Sequence, residues 1–233
     1  LPPIKYIQLD AAEDVDDEPL AFTDVVIALY LEGLPSDIDE EDQQVFESAP
    51  LAEAVIGAFC LGCAIGIEYP ERLLPILAQT HEDELDEIID ECRESLTERI
   101  QEAKTAAEPL EAESFIVAMT DGLDERPYVD AETAQNALSM SFEYGCVLAQ
   151  VERGAAIIVR NEFNRSEEAA AEELEDDQED HAGHSHNENN HGGHDHVGHD
   201  HGDAADEHGP YHSVQEFAIE IIAAYEADIG PLV

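Results

Sequence analysis

Tryptophan is absent, and methionine and lysine occur twice each, the lysines as Lys5 and Lys104. Against 57 acidic residues the chain sets nine basic ones, seven of them arginine. So few cations leave no basic patch to neutralise phosphates, which argues against nucleic acid as a partner. Four cysteines (Cys60, Cys63, Cys92, Cys146) are too few and too scattered for a disulfide scaffold, so a reducing cytoplasm is the expected setting. The opening residues, LPPIKYIQLD, carry one lysine and no apolar stretch of the secretory kind. No uncharged run reaches the roughly 20 residues a membrane span needs. Residues 54–67 come nearest, bracketed by Glu53 and Glu68, and they read as a buried core helix. A phosphate loop, a dinucleotide fingerprint, an H-E-x-x-H helix and a nucleophile elbow are all missing, so no catalytic activity is expected.

What the chain has in abundance is negative charge, formally -48. At ordinary ionic strength such a charge pushes a compact fold apart. In molar salt the screening length drops to about 3 Å and neighbouring carboxylates hardly interact. The acids are spread along the chain and not gathered in one tail, which favours salt adaptation over a single basic partner. In composition the chain resembles the cytoplasmic proteins of salt-accumulating haloarchaea. That resemblance implies an environment and no particular family.

Periodicity predicts mainly helices. A short strand is expected at 4–9, then an acidic loop, with Pro19 opening an apolar helix over 20–31. Ser36 is expected to cap a short acidic helix ending at Phe46. Pro50 opens the apolar helix 51–68, and Pro70 closes it. Apolar residues at 85, 88, 89, 92, 96, 100 and 103 lie on one face of a helix expected over 80–107, with Thr80 and Asp83 as its capping box. A shorter apolar run spans 115–119. A further long helix is expected from about Asp130 to Val151, and helix and strand stand as alternatives for 154–163. Residues 166–180 hold nine acids in 15 positions and read, with the tract that follows, as disordered or extended. Ser213 and Glu216 form a capping box for a last helix, whose apolar face is Val214, Phe217, Ala218, Ile221, Ile222 and Tyr225.

A repeat runs at an offset of 83 residues. Ala54-Val55, Phe59 and Gly62-Cys63-Ala64-Ile65 match Ala137-Leu138, Phe142 and Gly145-Cys146-Val147-Leu148. Two readings stand: a pseudo-twofold pair of helical units (20–68 and 112–151), or chance among alanine-rich helices. In the first, Gly62 and Gly145 would allow two helices to cross closely.

Ten of the eleven histidines fall in residues 181–212: His181, His184, His186, His191, His194, His196, His199, His201, His208 and His212. They recur as H-x-H and H-x-x-H among glycines, with Asp195 and Asp200 between them. Neutral imidazole ligates Zn²⁺, Ni²⁺ and Cu²⁺, and carboxylates can complete the sphere. At about four ligands per ion, the tract has donors for roughly two ions. It resembles the His-rich loops of zinc transporters and of nickel or zinc metallochaperones, a likeness confined to this loop. The competing reading is a solvated linker that binds metal without purpose.

Cys60-Leu61-Gly62-Cys63 has C-x-x-C spacing but lies among apolar residues, where free cysteine behaves as a small buried side chain. A metal centre of Cys60, Cys63, Cys146 and His81 is the alternative. The acids Glu82, Asp83, Glu84, Asp86, Glu87, Asp90 and Glu91 lack the Glu-x-x-His pairs of a di-metal bundle and read as a solvated helix face.

The expected fold is therefore an all-α bundle. It comprises a helical core over 1–165, a disordered acidic and His-rich insertion over 166–212, and a C-terminal helix over 213–233 docked on the core. The expected function is to buffer or deliver Zn or Ni in a salt-rich cytoplasm. The alternative is a non-catalytic helical interaction protein in which the loop is incidental. Divalent metal ions are the expected partners, with a protein partner or a homodimer, and neither nucleic acid nor membrane.

Overall fold

The structure, a computed structural model, describes residues 20–39, 43–81, 84–121, 123, 126–181 and 213–232. The fold is all-α. In chain order it runs α1 (Phe22–Gly33), β1 (Ser36–Ile38), β2 (Gln44–Glu47), α2 (Ser48–Glu68), a 3₁₀ turn (Pro70–Arg72), α3 (Leu73–Thr80) and α4 (Leu85–Ala106). Then come α5 (Ala112–Thr120), β3 (Tyr128–Asp130), α6 (Ala131–Val151), α7 (Arg153–His181) and α8 (Val214–Asp228). The strand expected at 4–9 and the opening role of Pro19 lie outside the described residues.

Helix α2 is the hub. It packs on α5, α6, α7 and α8, and its residues from Ala58 to Ile65 are sealed from solvent. By length and composition it is apolar enough to cross a membrane, and here other helices surround it. Its partner is α6. A Cβ placed on Gly62 would fall 2.2 Å from the Phe142 carbonyl oxygen and 2.8 Å from the Cys146 nitrogen. One placed on Gly145 would fall 2.1 Å from the Phe59 oxygen and 3.1 Å from the Cys63 nitrogen. The offset of 83 takes Gly62 to Gly145 and takes Phe59 and Cys63, which Gly145 meets, to Phe142 and Cys146, which Gly62 meets, so the crossing is reciprocal.

The small sheet obeys the same symmetry. Its order is β1-β2-β3, all antiparallel. Phe46 pairs with Val129, its own equivalent at the same offset, and the flanking pairs Val45–Asp130 and Glu47–Tyr128 exchange under it. A local twofold thus relates β2-α2 to β3-α6. The short helices follow it, since α1 packs mainly on α6 and α5 mainly on α2. Aromatic side chains fill the layers around the crossing, with Phe59 stacked on Phe115 at 5.8 Å and Phe22 edge-on to Tyr225 at 5.1 Å.

Several elements depart from expectation. Residues 36–38 and 44–47 form a strand pair and not a helix: the Asp39 amide donates to Gln43 O at 2.9 Å, and Gln43 N–H donates to the Asp39 carboxylate. Aspartate competes for backbone donors in this way, and the β-prone Val45-Phe46 completes a ladder on β3. The capping box at Thr80 is replaced by an end. Thr80 closes α3, with its hydroxyl donating to Leu77 O at 3.2 Å, and α4 begins at Leu85. Beyond Val151, Glu152 leaves helical geometry (φ -146°), its carbonyl receives the Ala155 and Ala156 amides, and α7 starts afresh, which resolves 154–163 as helix.

Helix α7 then continues through His181, so 166–181, expected to be disordered or extended, is helical. The run EEAAAEELEDDQED is rich in the strong helix formers Ala, Glu, Leu and Gln, and in screened surroundings that propensity outweighs the repulsion of its acids. At the other end of the insertion, the Ser213 hydroxyl accepts the Glu216 amide at 3.3 Å. The α8 face drawn from the sequence is the face that is buried.

Candidate metal-binding loop and its supports

His181 is the last residue of α7. The other tract ligands expected from sequence, His184, His186, His191, His194, Asp195, His196, His199, Asp200, His201, His208 and His212, lie outside the described residues. What the structure does describe is how the body holds the chain just after the tract and seats the helix that leads into it. The Asn164 side chain clamps the start of α8: its Oδ1 accepts the Val214 amide at 3.1 Å, and its Nδ2 donates to Gln215 Oε1 at 2.6 Å. From Asn164, α7 rises about 25 Å to His181 at 1.5 Å per residue. The tract therefore leaves from a helix tip, and the described chain resumes at Ser213, next to residues that bond Asn164 eleven positions above the start of the same helix.

The first turns of α7 are firmly seated. Arg153 Nη2 donates to Ile67 O at 2.7 Å, and Arg160 pairs with Glu68 at 3.2 Å. Ala155, Ala156 and Val159 are buried. From Arg165 to Ala170 the helix is exposed. Alongside it, between α2, α5 and α7, runs a cleft of about 510 Å³ whose walls include Glu53, Glu111, Glu113, Glu162 and Glu167. Helix α8 is fixed at its far end too, by Arg72, which donates to Leu232 O at 2.7 Å and pairs with Glu226 at 2.9 Å.

The cysteine alternative fails on geometry. Among the described residues no group of three His, Cys, Asp or Glu side chains is placed to hold a metal ion. Cys60, Cys63 and Cys146 are fully buried at the α2–α6 crossing. Burial pushes all three thiols up, chiefly through desolvation of the thiolate, with Glu113 and Glu167 adding to it at Cys60. They are protonated packing groups. His81, proposed as a fourth ligand, points elsewhere. Its Nε2 lies 2.8 Å from Glu143 Oε2, and Glu143 Oε1 also accepts from Thr80 at 3.2 Å and Ser139 at 3.4 Å. This cluster ties the C-terminus of α3 to α6, and nothing in the local sequence signals it. Glu84, at the N-cap position of α4, and the α4 acids Asp86, Glu87, Asp90 and Glu91 are exposed, as a solvated face requires.

The Asn164 clamp was also invisible to pattern, because it joins residues 50 apart. Only the Ser213 cap could have announced that α8 starts at a fixed place. Comparison of the chain with protein-family models, with curated proteins and with solved structures found no match in any of the three.

Proposed function

We propose that this protein binds divalent transition metal, Zn²⁺ or Ni²⁺, through the histidine tract, and buffers or delivers it in a salt-rich cytoplasm. The observation that carries the reading is the Asn164 clamp, which, with the Ser213 cap, returns the chain to the body immediately after ten histidines. With the chain clamped after the tract and carried on a helix before it, metal capture by the tract closes a loop tethered at both ends, so less chain entropy is lost than in a free tail. The carboxylates along the cleft beside α7 favour the approach of a dication.

The test is calorimetric titration with Zn²⁺ and with Ni²⁺ in molar KCl, on the full chain and on a deletion of 181–212 bridged by a Gly-Ser linker. The full chain is expected to bind about two ions, and the deletion none. Equal binding by both would remove the tract from the function. The second reading, a helical interaction protein, draws on the unbroken pseudo-symmetric body. It is favoured if the deletion leaves folding intact and the full chain binds metal only at millimolar affinity.

A further inference from the structure

The twofold continues past the α2–α6 crossing, at the same offset of 83, into the corners that follow it. Tyr69 ends α2 with φ -130° and ψ 60°, and its amide donates to Ile65 O at 2.7 Å. Its twin Glu152 ends α6 with φ -146° and ψ 72°, and its amide donates to Leu148 O at 2.9 Å. The next bond repeats as well: the Arg72 amide donates to Tyr69 O at 2.9 Å, and the Ala155 amide to Glu152 O at 2.9 Å. The helices leaving the two corners bury twin positions, Leu73 and Ile76 in α3, Ala156 and Val159 in α7.

The last helix of each half is placed alike, since α4 packs mainly on α6 and α8 mainly on α2. Between these helices the halves differ. In the first, α3 stops before His81, the Glu84 amide donates to His81 O at 3.3 Å, and α4 opens at Leu85. The twin of His81 is Asn164, where α7 does not stop, and the twin of α4 opens only at Val214. Residues 82–84 thus make the link in one half, and residues 165–213 make it in the other.

The longer link spans no greater gap. Asn164 Oδ1 lies 3.1 Å from the Val214 nitrogen, which sets the two Cα atoms at most about 8 Å apart. Four consecutive Cα–Cα steps, the number from His81 to Leu85, reach about 15 Å. Burial changes at the same point: α7 is exposed from Arg165 to Ala170, directly after the residue whose twin follows the end of α3.

We infer that residues 165–212, the outer part of α7 with the histidine tract, are an insertion into a duplicated helical body. The insertion lies at the corner that the first half turns with residues 82–84. The body folds without it, and the tract is a separable module joined to the body at Asn164 and Ser213. This holds whether or not the tract takes up metal. Excision also removes closure entropy and a dense run of acids, both of which weigh against the compact state.

The test is excision, read by urea unfolding and amide hydrogen exchange in molar KCl. One chain joins Asn164 to Ser213 through Glu-Asp, the pair at positions 82 and 83, and a second joins them through a Gly-Ser link of about six residues. Both are expected to unfold in one cooperative transition with a midpoint at or above that of the parent. Exchange at the α2–α6 crossing and along α8 is expected to stay as slow as in the parent. A third chain carries residues 165–212 in place of residues 82 and 83, with the Asn164–Ser213 corner closed by the Gly-Ser link. It is expected to fold too, because the corners are twins. The inference is overturned if the Gly-Ser chain shows no cooperative transition, or if its α8 amides exchange at unfolded-chain rates. It is equally overturned if relocation unfolds a body that excision leaves intact.

Discussion

Gly62 and Gly145 each lie against the main chain of the other's helix, with no room for a methyl group on either. A Cβ at either position would stand 2.1–2.2 Å from a carbonyl oxygen, the Phe142 oxygen for Gly62 and the Phe59 oxygen for Gly145. Backbone cannot rotate away as a side chain can, so the helices would have to separate. Alanine would gain about 1 kcal/mol of helix propensity at these positions, whereas overpacking costs about 1–3 kcal/mol and more where backbone must shift. Gly62→Ala and Gly145→Ala are each expected to lower the urea midpoint. Because one separation relieves both clashes, the double variant should lose less than the sum of the singles. Additive losses would mean that the two glycines do not share one crossing.

The thiols lining that crossing give a pH signature. Burial holds Cys60, Cys63 and Cys146 protonated well above the ordinary thiol range. Above about pH 8.5 the unfolded chain releases those protons and the folded chain keeps them, so the folded state binds more protons there. Stability is therefore complete below that pH and falls as pH rises toward the folded values, by up to about 1.4 kcal/mol per pH unit for each thiol. Urea midpoints between pH 7 and pH 10 should show the decline, and a Cys60→Ala/Cys63→Ala/Cys146→Ala chain should show a shallower one. In the native state half-buried Cys92 should react with a thiol reagent first. Prompt modification of four thiols would contradict this packing.

Much of this architecture is legible in the chain, and the reasons differ by element. The α8 face is readable because its apolar residues recur at helical spacing and Ser213 supplies a local start signal. The offset between Gly62 and Gly145 is readable as a repeat, but only the crossing distinguishes it from chance among alanines. The strand pair β1–β2 is misread as helix because its pairing partner, β3, lies more than 80 residues away. No local propensity carries that information. The acidic stretch 166–181 misleads in the opposite sense, since its charge suggests disorder and its composition favours helix. Of the candidate site, sequence yields the ligands and the Ser213 boundary. The Asn164 clamp depends on contacts across the fold.

Asn164 offers a test of how the tract is held. Its amide satisfies the Val214 backbone and the Gln215 side chain together. Asn164→Ala removes both bonds and leaves a part-buried N–H unpaired, for an expected loss of about 1–3 kcal/mol. The loss should be local. Hydrogen exchange should speed up at the first turn of α8 and not at the α2–α6 crossing, and Zn²⁺ affinity should drop if the fixed ends aid binding. Unchanged exchange at Val214 would show that Ser213 alone holds that end.

Salt dependence bears on the whole surface. Nine basic residues cannot neutralise 57 acidic ones, and among the described residues four ion pairs join arginine to carboxylate. Most carboxylates therefore repel one another with no cation between them, and the compact state concentrates that repulsion. Raising KCl from about 0.1 M to 1 M shortens the screening length from about 10 Å to 3 Å, so most of the relief should arrive within that interval. The urea midpoint is expected to rise steeply there and to flatten beyond it. Potassium thiocyanate separates screening from salting-out: it screens as KCl does but does not strengthen apolar burial. At low concentrations it should stabilise the chain nearly as well as KCl. A midpoint that stays flat from 0.1 M to 1 M, or that rises with KCl and falls from the outset with thiocyanate, would remove charge repulsion as the reason for this composition.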